Sequence, residues 1–155
     1  MGPPARPFHI LLKSGTILTV FIYLFTTKSN RMIKKNSALI SESKAKEVVL
    51  EFIKALNEED FTRARRYASN SISFQGVMGS RDGADAYFSD MEKMKLKYDV
   101  QKTLVDGNDV AVFYNITMSG KQIFSSGWYQ VEDGKISSFK VVFDPRPLLE
   151  EAGKN

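Results

Sequence analysis

The 155-residue chain contains no cysteine and one histidine, His9. The first absence excludes disulfides, thiolate metal sites and cysteine nucleophiles. The second excludes histidine-based metal clusters and Ser-His-Asp chemistry. Proline is sparse and sits at the two ends, at Pro3, Pro4 and Pro7 and again at Pro145 and Pro147. An excess of one charge is also missing once the N-terminus is set aside. Residues 1–31 carry Arg6, Lys13, Lys28 and Arg31 and no acid, and these four account for the whole formal charge of +4. From Met32 onward acids and bases balance, so the pI of 9.2 gives the domain no electrostatic case for nucleic acid. With 43% hydrophobic and 26% charged residues, the chain is a globular sequence long enough for one domain and not a disordered one.

A long apolar run is lacking too. Residues 16–25 (TILTVFIYLF) are apolar with basic residues on both sides, but a bilayer-spanning helix needs about 20 such residues. The run approaches that length only if residues 8–12 are added with Lys13 inside. Three readings stay open: a signal peptide, although no A-x-A-like site follows Phe25; a short signal anchor; or a start that belongs at Met32. A start at Met32 implies a cytoplasmic protein, and the other two imply export or membrane anchoring. Residues 1–31 are therefore left out of the fold reasoning.

From residue 32 the pattern is that of one domain. Residues 32–42 are expected to be a loose lead-in and 151–155 a tail, with the domain between them at 43–150. Ser43 is expected to cap a first helix, in which Val49, Phe52, Ile53 and Leu56 recur at helical spacing as an apolar stripe. Asp60 caps a short second helix carrying Phe61, Ala64, Tyr67 and Ala68. Residues 71–75 alternate, with Ile72 and Phe74 on one side, and predict a strand. The glycine-rich stretch 76–83 lacks the G-K-[ST] ending of a phosphate loop and predicts a turn. A third helix follows over 83–94 with Tyr87, Phe88 and Met91 on its apolar side. Four strands then run over 98–105, 110–118, 122–132 and 136–144. Asp133-Gly134 forms a two-residue hairpin turn between the last two. Pro145 and Pro147 stop the final strand.

Helices first and a short-turned meander afterwards predict an α+β domain: three N-terminal helices packed on a strongly curved antiparallel sheet, a cone-shaped α+β barrel. Such a hollow is a common ligand site. The outer face is also partly apolar, with Phe124 and Trp128 on it, and a second copy of the chain is the expected cover.

This element order and the ending WYQVEDGKISSFKVVFDPRPLLE (128–150) resemble the nuclear transport factor 2-like superfamily, and within it the small bacterial SnoaL-like, polyketide-cyclase-like proteins. The resemblance covers about residues 43–150. It rests on the first-helix stripe, the glycine-rich segment 76–83 and the E-D-G-K-I hairpin at 132–136. It implies a fold and a pocket more than a reaction, because the superfamily holds isomerases, cyclases, dehydratases and transport adaptors. Ketosteroid isomerases of this fold carry a carboxylate base on the first strand, where this chain has Phe74, or Gln75 with the register moved by one. Their protonated Asp matches about Gly127, and the Trp on their last strand matches Phe143. That catalytic pair is absent, which rejects the ketosteroid isomerase activity. Polyketide cyclases of this fold place an Asp four residues before a Leu-Leu pair. Asp144 precedes Leu148-Leu149 by that spacing, with Pro145-Arg146-Pro147 where the family usually has a glycine.

Asp144 is thus the candidate catalytic residue, a general acid/base whose pKa burial would raise. The alternative is structural: Asp144 pairs with Arg146 or Arg81, or caps the turn at Pro145. Tyr67, Tyr87, Tyr114 and Tyr129 are expected to turn hydroxyls toward the hollow, with Phe74 and Phe143 as its apolar wall. Phe124 and Trp128 are the expected dimer contacts. Neither a metal nor a cofactor is expected. The first functional expectation is a small-ligand-binding domain forming a homodimer. The second is an enzyme of cyclase, isomerase or hydrolyase type acting on a small hydrophobic carbonyl compound through Asp144. A third is a protein-interaction module using the outer face around Phe124 and Trp128. A membrane enters only through residues 1–31.

Overall fold

The computed structural model describes residues 14–152, with side chains from 23 to 149. The front of the N-terminal segment with His9, and the last three residues of the tail, lie outside the described residues. The chain divides into two units, Met1–Ser37 and Ala38–Asn155.

Helix α1 runs over Ser14–Asn57. Ser43 therefore lies inside a helix and not at its start, and residues 32–42 are helical instead of a loose lead-in. The physical reason is that residues 16–57 contain neither Gly nor Pro, so nothing breaks a helix once it has begun. In the first unit Tyr23, Leu24 and Phe25 are exposed. Among the described residues no helix is long and apolar enough to cross a membrane.

The second unit carries the domain. Within it the α1 stripe is buried as its spacing predicts: Val49, Phe52, Ile53 and Leu56 are all core residues. Asn57 ends the helix and does more. Its side chain donates to the Tyr98 carbonyl (2.8 Å) and accepts from the Tyr98 N–H (2.7 Å), an extra pairing that fixes the start of a strand. Helix α2 spans Phe61–Arg66, and the Asp60 carboxylate caps it by accepting from the Arg63 N–H at 2.9 Å. Tyr67 and Ala68, expected on this helix, fall outside it. Tyr67 is its C-cap, and its carbonyl accepts from the Ile136 N–H at 2.7 Å, which draws the chain into the sheet.

Six strands form one sheet: β1 (Ala68–Gly76), β2 (Gly79–Asp82), β3 (Lys97–Asp106), β4 (Asp109–Met118), β5 (Lys121–Glu132) and β6 (Lys135–Phe143), in the order β2-β1-β6-β5-β4-β3. Helix α3 (Ala84–Met94) crosses from β2 to β3, and α4 (Arg146–Ala152) follows the last strand. The meander β3 to β6 is antiparallel as the short turns require. Two features differ from expectation. The segment 76–83 is not only a turn: its second half is β2, paired antiparallel with β1. And β1 lies parallel to β6, because the α3 crossover carries the chain from one edge of the sheet to the other before the meander returns it.

The sheet is strongly curved and unclosed, an α+β cone. Register shifts at 68/73, 100/102 and 130/131 supply bends, as extra residues in a ladder do. Asp133 and Gly134 both have positive φ (49° and 73°), the geometry the D-G pair predicts. The inner residues of β4, Val110, Val112, Tyr114 and Ile116, pack with Tyr87, Phe88 and Met91 of α3 in one core. Rings tie the layers together: Phe52 of α1 meets Tyr87 and Phe139 at centroid distances of 6.2 and 6.1 Å.

Candidate functional site

The inner face of the sheet and α3 enclose a cavity of about 280 Å³. Strand alternation decides what reaches it. On β5 the buried, inward positions are Ile123, Ser125, Gly127, Tyr129 and Val131, and of these Tyr129 lines the cavity. Gly127 has a definite role. A Cβ there would lie 2.6 Å from Cε2 of Tyr129 and 3.0 Å from its hydroxyl, so the Tyr129 ring lies across the glycine. The ring also stacks with Phe139, centroids 5.0 Å apart. Gly76 serves Phe74 in the same way, with the ring 2.7 Å from where a Cβ would be.

Five of the expected pocket residues line this cavity: Phe74, Tyr87, Tyr114, Tyr129 and Phe143. Tyr67 does not line it; the expected helix ends two residues early, at Arg66, and Tyr67 is its C-cap. Asp144 does not line it either. Its carboxylate takes the Arg146 guanidinium at 2.9 Å from Nε and 2.5 Å from Nη2, and it accepts from the Arg146 N–H at 3.1 Å. That arginine holds the Asp144 carboxyl below its ordinary range. A general acid needs the opposite shift. The structural alternative, pairing with Arg146 at the turn, is the geometry observed.

Several lining residues had been given no ligand role. Tyr98 lines the cavity from β3, and its place opposite Ile116 is set by a ladder that spacing alone does not register. Methionine was overlooked as well. Met78, Met91, Met94 and Met118 all line the cavity, four of the six in the chain. Thioether side chains adapt their shape to irregular apolar ligands, and their concentration here was a usable signal. Two charged side chains line the cavity, Arg81 and Asp90, and they are paired with each other at 2.6 Å. Among the described residues no three His, Cys, Asp or Glu side chains gather as a metal site requires.

The four lining tyrosines are all held protonated. Burial raises Tyr87, Tyr98 and Tyr129 well above the usual phenol range and pushes Tyr114 up to about 12. Tyr87 and Tyr98 interact through their hydroxyls, as do Tyr114 and Tyr129. The Tyr114 hydroxyl is buried with no hydrogen-bond partner of normal geometry.

On the opposite face Phe124, Trp128 and Val142 are 62, 47 and 63% exposed. Phe124 stacks on Phe113. The Trp128 indole N–H donates to Asp109 at 2.9 Å, and Lys140 lies over its ring. Both expected dimer residues thus sit on the solvent side of the sheet.

Helices capping a curved sheet around an apolar, tyrosine-bearing cavity define a nuclear transport factor 2-like domain. Within that class the chain belongs to the SnoaL-like domain family, which it matches over residues 49–139. It is 50% identical to an NTF2-like protein of unknown function from Cytophaga hutchinsonii, over 68% of this chain and 94% of that one, with a TM-score of 0.67. An LEH-like epoxide hydrolase from M. tuberculosis is 19% identical over 70% of this chain and 89% of that one, with a TM-score of 0.62. A de novo designed protein with a curved β-sheet is 20% identical over 72% of this chain and 95% of its own, with a TM-score of 0.61. The last two likenesses are of fold alone. No curated protein matches the chain.

Proposed function

We infer that this domain binds a small, largely apolar molecule in the cavity between α3 and the inner face of the sheet. The observation that carries this is the cavity itself, about 280 Å³ with walls of aromatic, aliphatic and methionine side chains. Protein interiors are close-packed and seldom keep voids larger than a water. An apolar cavity of about 150 Å³ accepts one benzene, so this one suits a skeleton of about two rings. Binding is favoured over acid–base catalysis by the state of the nearby carboxylates. Asp144 is outside the lining and ion-paired, and Asp90 is tied to Arg81.

The exposed outer face supports a second part of the reading, a homodimer. Phe124, Trp128 and Val142 form an apolar surface with a polar border, as interfaces do. The binding reading is tested by titrating the isotope-labelled protein with 2-ethylnaphthalene and following amide shifts. Saturable shifts on α3 and β4 are expected, and Val141→Trp, which fills the cavity, should abolish them. Saturable binding that survives Val141→Trp would place the ligand elsewhere and end the reading.

A further inference from the structure

On the premise that the cavity holds an apolar skeleton, its mouth narrows the polar group which that skeleton carries. The exposed lining residues Val77, Met78 and Met94 mark the mouth. The β1–β2 hairpin and helix α3 border it, and each presents one charged side chain where its period calls for an apolar one. On the hairpin Phe74 and Gly76 line the cavity from β1, and Gly79 and Arg81 line it from β2. Arg81 stands directly opposite Phe74 in the ladder, so the two share a face of the sheet. Asp82 takes the other face, where its carboxylate accepts from the Ser73 hydroxyl at 3.0 Å. On α3 the lining positions are Tyr87, Asp90, Met91 and Met94, an i, i+3, i+4, i+7 stripe. Asp90 is its one charged member.

Breaks in a local pattern are expected where a protein works on something, and these two breaks meet. Arg81 donates from Nε to Oδ2 of Asp90 at 2.6 Å and from Nη1 to the Ser80 carbonyl at 2.7 Å. The two side chains are 46 and 31% exposed, and a pair so exposed adds little to stability. Its hydrogen-bonding capacity is also incompletely used. Neither Nη2 of Arg81 nor Oδ1 of Asp90 makes a hydrogen bond among the described residues. A held donor and a held acceptor thus stand side by side on the wall of an apolar cavity. Their formal charges cancel. A ligand carboxylate would meet Arg81 favourably and Asp90 unfavourably, and an ammonium the reverse. A neutral group with both a carbonyl oxygen and an N–H meets both favourably, and hydrogen bonds to charged partners are the stronger kind.

We propose that the Arg81–Asp90 pair is the polar subsite of the cavity and takes a neutral donor–acceptor group, of the carboxamide kind, at the mouth end of an otherwise apolar ligand. The carbonyl oxygen accepts from Arg81 and the N–H donates to Asp90.

Four probes of one skeleton test this on the full chain at neutral pH by calorimetric titration: 2-ethylnaphthalene, 2-naphthamide, 2-naphthoate and 2-(aminomethyl)naphthalene. The amide should bind about three- to tenfold more tightly than the hydrocarbon, the range of one net hydrogen bond, and more tightly than either ion. Asp90→Asn removes the repulsion of an anion, so naphthoate should overtake the amide in that variant. Arg81→Gln removes the repulsion of a cation, so the ammonium should overtake it there. That reversal of preference is not produced by a pair which only ties β2 to α3. The hydrocarbon should bind both variants within about twofold of the original protein, because it does not touch the subsite's polar atoms. An amide no tighter than the hydrocarbon, or an order of preference unchanged in both variants, overturns the subsite and leaves the cavity reading standing. Loss of hydrocarbon binding in both variants makes the pair a structural tie and overturns it as well. Binding by none of the four to the original protein removes the cavity reading and the subsite together.

Discussion

Replacing Tyr114 by Phe should make the protein more stable. The Tyr114 side chain has no solvent exposure, its ring packs edge to face with Tyr98 at 5.1 Å, and its hydroxyl lacks a hydrogen-bond partner of normal geometry. Phe keeps the ring and removes only the hydroxyl. An unsatisfied buried polar group costs about 1–3 kcal/mol. Deleting an oxygen leaves space on the order of 10 Å³, which at about 24 cal/mol per Å³ costs about 0.2 kcal/mol. The interaction with the Tyr129 hydroxyl is also lost, which brings the expected gain toward the lower end, about 1 kcal/mol. For a domain of this size that raises the thermal midpoint by about 3–5 °C. Urea denaturation at fixed protein concentration measures it, with far-UV circular dichroism and Trp128 fluorescence as independent probes. A loss of 1 kcal/mol or more would refute the reasoning, because it would mean that the hydroxyl is satisfied in the folded protein.

Four further outcomes are expected. At alkaline pH the four lining tyrosines, whose pKa values are raised in the folded protein, favour folding fully below the unfolded-state value of about 10. Their contribution falls as pH rises above it. Absorbance at 295 nm should show them ionising only as circular dichroism is lost, and four phenolates forming near pH 10 in a native protein would contradict this. Gly127→Ala should cost about 1–3 kcal/mol in thermal denaturation, because a methyl 2.6 Å from the Tyr129 ring forces that ring to move; a neutral result would mean that the ring is free to shift. Asp144→Asn removes one side of an exposed pair with Arg146 and should leave naphthalene binding unchanged, so a marked loss of affinity would return Asp144 to the site. Phe124→Glu with Trp128→Glu should convert a dimer to a monomer in sedimentation velocity, and a wild-type protein that sediments as a monomer ends the pairing reading.

What could be read from the sequence was mostly local. The stripe Val49, Phe52, Ile53 and Leu56 and the D-G turn at 133–134 rest on spacing and on backbone preference within a few residues, and both stand in the structure. The parallel pairing of β1 with β6 joins residues more than sixty positions apart, and no local pattern encodes it. The long helix was missed for a different reason. Ser43 has the chemistry of a cap, but residues 16–42 contain no breaker, and a cap signal inside an unbroken run does not start a helix. The same limit acts on the site. Phe74, Tyr114 and Tyr129 line the cavity as the alternation of their strands implies, and Phe143 as the resemblance implies. Tyr98 was passed over as a ligand contact because its place depends on the Asn57 side chain holding its backbone from α1.

The resemblance to a known fold located the hollow but not its chemistry. A designed protein and an epoxide hydrolase share this curvature with the chain at about 20% identity or less, so curvature alone selects no reaction. The positions that resemblance singles out for isomerase chemistry are Phe74, Gly127 and Phe143 here. Two line the cavity with apolar rings, and the third has no side chain. Polarity has not vanished from the hollow; it has moved to hydroxyls on α3, β3, β4 and β5. A phenol kept neutral by burial donates a hydrogen bond but does not accept a proton from carbon. The absence of a carboxylate at Gly127 and the presence of the Tyr129 ring over it are therefore one substitution in physical terms. The space beside β5 that could hold an acid holds the ring of a neutral phenol, so that position offers no base for proton transfer.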